Sequence, residues 1–338
     1  MPELVHKNWL IVVLLALGVL ILALLPRFVS SYVISLFIVL YANVALATAW
    51  AFFSGTTRYI SLATAAFFGV GIYALAILHV HMPLPTALLG AAIVGFLVAL
   101  VVGLSTLRLR GVYFVVFTFG LTELVHQVLN WWEIKVNRTV TRYIFADVSN
   151  VSIYETLLAV ALLTILGSWY VSRTRLGFAL RAIGEDETVA RHTGIDTTRV
   201  KVLCFAISAS VMALVGAVLA LRYPYIDASI AFNNTWSFQV LIAALLGGPT
   251  RPWGPALGAV PLVLLSVFLA GTFPHHFGIA LGLCFVVIVY FLPGGVAPLL
   301  ERTYRRWAAA RASGTWPPSP VAAWLKARLA RLDALWRM

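Results

Sequence analysis

Continuous apolar runs dominate this chain, and they limit what it can fold into. They cover roughly residues 9–25, 30–53, 60–79, 84–107, 111–131, 153–172, 200–221, 232–247, 254–271 and 278–298. Many approach or exceed the ~18–20 residues that cross a bilayer. In hydrocarbon every backbone N–H and C=O must be paired within the protein, which leaves helices or closed barrels. A barrel would show short segments of alternating polarity instead. The reading is therefore all-α: a polytopic membrane protein with about ten transmembrane or broken helices. Charged residues make up only 11% of the chain, against roughly 25% in soluble domains. The first run has no small-residue cleavage site after it and reads as a retained span. Residues 1–300 form the transmembrane domain, and 301–338 form a basic tail.

The formal net charge is +12. In a membrane protein this points to cytoplasmic loops and anionic lipid rather than to nucleic acid. Ten crossings with both ends inside put Lys7, Arg58, Arg108, Arg110, Arg173, Arg175, Arg181, Arg191, Arg199, Lys201 and Arg251 in the cytoplasm, with eight more in the tail. Outside remain Arg27, Lys135, Arg138, Arg142 and Arg222. That bias sets both termini inside a bacterial inner membrane. It also divides 232–271 into two crossings, broken at "GGPTRPWGP" by Gly247, Gly248, Gly254 and Pro255. A single crossing would strand one basic segment outside. The first of the two is short, which predicts a broken or half-length helix. The tail, "SPVAAWLKARLARLDALWRM", has an apolar residue at helical spacing after Ser319 and Pro320, as an interfacial amphipathic helix would.

Several kinds of chemistry find no motif. None of the four lysines follows a glycine, so there is no Walker motif to cradle phosphates. The chain is read as a transporter subunit without cofactor or ATPase motif of its own, not as an enzyme. His79/His81 and His275/His276 are each too few to hold a metal. Cys204 and Cys284 read as buried thiols. Two stretches do carry polar chemistry. In "FGLTELVHQVLNWW", Glu123, His126, Gln127 and Asn130 fall on one helix face. Lipid would penalise that face, so it should turn to a cavity or a partner helix. In "RAIGEDETVARHTGI", three of the chain's 12 acids stand in a row. Gly184 is read as starting a helix and Gly194 as ending it. Glu185, Asp186 and Glu187 fill the first turn and Arg191 and His192 the last, as the helix dipole favours. With Arg181 nearby, this is a capped cytoplasmic helix suited to docking, within a loop at 173–199.

From these residues a resemblance emerges. "SRTRLGFALRAIGEDETVARHTGIDTTRVKVLCFAISASVMALVGAVLA" (172–220) resembles the loop and following span of LivM-type permeases, the membrane subunits of branched-chain amino-acid ABC importers. "SLATAAFFGVGIYALAIL" (61–78), "LRLRGVYFVVFTFGLTEL" (107–124), "LLGGPTRPWGPALGAV" (245–260) and "YFLPGGV" (290–296) resemble other segments of that family, in order. Three stretches depart from its pattern: Ala63-Thr64, "GTTRY" (55–59), and "WWEIKVNRTVTRYIFADVSN" (131–150). The resemblance implies an importer-permease fold, a second homologous permease, two cytoplasmic ATPases that bind the ATP, and a periplasmic substrate-binding protein. It implies that 181–195 is the coupling helix. Leucine, isoleucine and valine are the implied cargo. Urea, amides or other small polar solutes remain open, as does a proton-coupled secondary transporter using Glu123 and His126.

Overall fold

The computed structural model describes residues 17–109, 111–139, 141–144, 146, 148–273, 276–291 and 295–297. The amphipathic helix expected in the tail, His275, residues 292–294 of the 290–296 turn and the start of the first span lie outside these residues. An apolar helical stretch, Leu17–Arg27, comes first. Twelve helices follow: α1 (Ser31–Trp50), α2 (Thr64–Leu78), α3 (Leu84–Thr106), α4 (Val112–Trp132), α5 (Asn150–Ser172), α6 (Arg175–Glu185), α7 (Glu187–His192), α8 (Thr197–Ala220), α9 (Ala228–Ala231), α10 (Thr235–Gly247), α11 (Gly254–Thr272) and α12 (Phe277–Phe291). Among the described residues, seven helical segments are long and apolar enough to cross a membrane, and three more are apolar but shorter. The expected all-α membrane fold is what the chain adopts.

The core lies around α8 and α1. Helix α8 packs against α3 and α2, while α1 packs against α5 and α11. Association between apolar helices in lipid depends on close packing, which small residues permit. At the α2–α8 crossing, Gly71 lies against the carbonyl of Ala213 and Gly216 against the carbonyl of Phe68. A Cβ at either position would strike backbone.

One expected span is shorter than its apolar run. Residues 60–79 read as a single helix, but α2 starts only at Thr64. Its 15 residues rise about 22 Å at ~1.5 Å each, short of a ~30 Å hydrocarbon core. The residues just before it are irregular and buried, with Ser61 6% and Leu62 9% exposed. Side chains from three helices satisfy their backbone. Trp50 Nε1 donates to Ser61 O (2.7 Å), Leu62 N to Thr118 Oγ1 (3.0 Å), Ser237 Oγ to Leu62 O (2.8 Å), and Ala65 N to Ser237 Oγ (2.9 Å). Buried irregular backbone survives in a membrane protein only when the protein itself supplies such partners.

The break expected at 248–253 is also present. Helices α10 and α11 pack on one another, joined by a turn in which Gly248 has φ 99°. Helix α10 has only 13 residues, and the four-residue α9 precedes it. The opposite end of α8 is stitched by a two-residue antiparallel ladder, Arg142 opposite Ile226 and Tyr143 opposite Tyr225.

Candidate functional site

The acidic loop forms two helices, not one. Helix α6 runs through Gly184 and stops at Glu185. Asp186 is extended, and its Oδ1 accepts from Thr188 N (2.7 Å) and Val189 N (3.1 Å), capping α7. A carboxylate N-cap satisfies donors that a new helix leaves unpaired. The expectation that Gly184 opens the helix and that three acids share its first turn is thereby corrected: Glu187 alone stands in that turn. Gly184 is inside α6 because only a residue without a Cβ fits there, facing the Thr56 carbonyl. The far end follows the sequence reading. Arg191 and His192 occupy the last turn, Gly194 has φ 85°, and Ile195 N bonds back to Ala190 O (3.2 Å).

The three acids have separate tasks. Glu185 pairs at the surface with Arg58 Nη2 (2.9 Å). Asp186 caps. Glu187 turns inward. Its Oε1 receives Lys201 Nζ at 2.8 Å and Arg191 Nη2 at 3.3 Å, and its Oε2 receives the Tyr59 hydroxyl at 2.6 Å. Lys201, 3% exposed, also donates to Leu107 O (3.1 Å) and Tyr59 Oη (3.2 Å), with Nζ 4.6 Å from the Tyr59 ring centroid. One buried ion pair thus ties α7 to α8, to the end of α3 and to the segment before α2. A turn of π-helix, Ala51–Gly55, leads into that segment. There Gly55 lies against the Pro249 carbonyl of the α10–α11 turn. The loop helices and the broken-helix turn therefore meet on the same short segment. Gly247, Gly254 and Pro255 are buried in the hairpin. The exposed side chains of α6 and α7 include Phe178, Arg181, Val189, Arg191 and His192.

The polar face of α4 is a different case. Gln127 Nε2 donates to Glu123 Oε1 (2.6 Å), and His126 Nδ1 lies 3.6 Å from the same oxygen. The His126 ring stacks on Phe232 at 6.2 Å. The three residues do cluster, yet Glu123 and Gln127 are exposed. This face does not turn into the chain's own interior. The buried side of α4 is instead Phe114, Thr118, Leu121 and Thr122.

Reading the sequence missed Tyr59 and Lys201 as partners of the loop. They stand 128 and 142 residues apart from their bonded partners Glu187 and Tyr59 respectively, so no local spacing reveals them. It also missed Glu133, 2% exposed, which accepts from Arg142 Nε (2.5 Å), Asn137 Nδ2 (3.0 Å) and Thr139 Oγ1 (3.1 Å). That cluster anchors the 131–150 departure at the far end of the molecule.

Comparison with known proteins adds the family. The family described as "Branched-chain amino acid transport system / permease component" matches residues 32–292. The permease protein LivM of a high-affinity branched-chain amino acid transport system in Salmonella typhimurium is 27% identical over 286 residues, 72% of this chain and 65% of its own length. BraD of Pseudomonas aeruginosa is 32% identical over 129 residues, 38% of this chain and 41% of its own. LivH of Escherichia coli is 31% identical over 145 residues, 42% and 44% respectively. The chain thus spans just under two thirds of the LivM protein's length. No solved structure matches it. The match to the family covers most of the chain, including the loop helices, the half-length α2 and the α10–α11 hairpin, and the chain therefore belongs to the family of permease components of branched-chain amino-acid transport systems.

Proposed function

We propose that this chain is one of two permease subunits of an ATP-driven importer for branched-chain or related amino acids. A second homologous permease completes the pathway, two cytoplasmic ATPases bind the ATP, and a periplasmic binding protein delivers the cargo. Family membership supports the transport class, and the LivM and LivH relatives are named as permeases of one such system. The observation that carries the mechanism is the α6–α7 pair, braced on its inner side by Glu187 and Lys201 (2.8 Å). A lever must be rigid against what it moves. This one presents Phe178, Arg181, Val189 and His192 outward and is fixed inward to α8, α3 and the segment before α2. A pull on it is passed to the helices at the centre of the molecule, tilting them between inward-open and outward-open states.

The charge bias puts the loop, the 248–253 turn and both termini in the cytoplasm. The fold supports a common side: Arg58, Leu107 and Lys201 meet at one end of α8, and the Arg142–Ile226 pairing is at its other end. The exposed Glu123–Gln127 face of α4 is read as lining the pathway once the second permease covers it. Cargo follows from the relatives' names, and urea or a short amide is the second reading. Reconstituted with both ATPases, the second permease and the binding protein, the chain should move leucine with ATP. Val189→Glu combined with His192→Glu should abolish co-purification of the ATPases while the chain still inserts. Full retention of the ATPases by that variant, or ATP-independent transport by the chain alone, would overturn the proposal.

A further inference from the structure

A cavity of about 490 Å³ opens at the same end as the loop helices, between α1, the end of α5, α6 and the 249–253 turn. Its size falls within the ~300–1,000 Å³ of small-ligand sites. Three arginines line it, Arg173, Arg181 and Arg251, and no lining residue is acidic. Arg173 and Arg181 have no carboxylate partner among the described residues, and the Arg173 guanidinium stacks 3.9 Å over Trp169. Thr48 is also on the wall. It is 1% exposed, and its Oγ1 has no hydrogen-bond partner among the described residues. Such a buried hydroxyl calls for a polar atom from elsewhere. The rest of the wall mixes apolar Phe52, Leu180 and Trp253 with the hydroxyl side chains of Thr56, Ser168, Ser172 and Thr250.

We propose that this cavity binds the phosphate headgroup of an anionic phospholipid. Guanidinium groups suit phosphate because their forked donors match its oxygens. Basic pockets between membrane helices on the cytoplasmic side suit lipid headgroups, and tryptophans mark the membrane–water boundary. The site lies where α1 and α5 end, so acyl chains would leave it along apolar helix surface. The chain's own tail is a poor occupant: residues 301–338 hold eight Lys/Arg against Glu301 and Asp333, and three arginines repel that charge. The lipid bridges α5, α6 and the 249–253 turn, three pieces that shift relative to one another if α6 is a lever. The inference does not depend on the cargo or on the ATPases.

The test uses the full chain, purified in detergent and titrated with phosphatidylglycerol, with native mass spectrometry and tryptophan fluorescence as readouts. Phosphatidylglycerol should bind at least tenfold more tightly than phosphatidylcholine. Arg173→Gln should weaken it about tenfold, and Arg173→Gln with Arg251→Gln further. Arg175→Gln, beside the cavity but not on its wall, should leave binding unchanged and guards against general loss of charge or fold. Equal affinity for the two lipids would overturn the proposal, as would an unchanged affinity in the Arg173 variant. Inorganic phosphate quenching the same tryptophans at millimolar concentration, with no phosphatidylglycerol retained, would assign the site to a free anion and equally overturn the lipid.

Discussion

Glu187 and Glu123 are both carboxylates in an apolar chain, yet the fold treats them in opposite ways. The Glu187 side chain is 10% exposed and ion-paired with Lys201. The Glu123 side chain is 55% exposed and its contacts lie within its own helix. The helices that carry their neighbours differ likewise. Of the most apolar stretch of α8, 72% is buried inside the chain, against 22% for α4 and its extension. A carboxylate with partners on two other segments is part of the frame. One whose partners among the described residues lie on its own helix, on an outward face, is no part of that frame.

The largest effect should come from splitting the inner pair. Lys201→Met leaves Glu187 with only the solvent-exposed Arg191 as a cation (3.3 Å), a loss of about 3 kcal/mol. Thermal unfolding in detergent should show it, and adding Glu187→Gln should recover much of it. A Lys201→Met chain as stable as the parent would place Glu187 on the surface and end the comparison. Next in size is Gly184→Val, which forces α6 away from the Thr56 carbonyl. It should cost about 1–3 kcal/mol and cut transport by the reconstituted importer about tenfold, read by protease protection of the loop together with leucine uptake. Glu123→Gln should behave in reverse. Stability should stay within about 0.5 kcal/mol, as for surface changes, while uptake falls several-fold. Unchanged uptake rate and affinity would remove Glu123 from the pathway. The smallest effect belongs to Arg58→Ala, whose pair with Glu185 is exposed at both ends and worth less than about 1 kcal/mol. A loss well above that would show that the Arg58–Glu185 pair does more than a surface contact.

Much of this was legible in the sequence for physical reasons. Apolar runs state their own destination, because lipid leaves the backbone few alternatives. The 232–271 break followed from charge, since one crossing would have put a basic segment on the wrong side. Gly194 was legible as a helix end because a left-handed residue is a local requirement. The Glu123–His126–Gln127 cluster was legible because i, i+3 and i+4 neighbours meet on any helix. The break at Glu185–Asp186 was not. A carboxylate that caps and one that sits in a first turn have the same local composition.

The sequence by itself determined the class of molecule, its helices, the position of the α10–α11 break and the polar stripe on α4, because each follows from lipid, charge or helical repeat acting over a few residues. Only the tertiary structure decided that α2 begins at Thr64, that Glu187 belongs to Lys201 and Tyr59, that Gly184 is a contact and not a helix start, and that the α4 stripe faces outward. Those outcomes depend on which distant segments meet, and the side chains that satisfy Leu62 come from Thr118 and Ser237, 56 and 175 residues away.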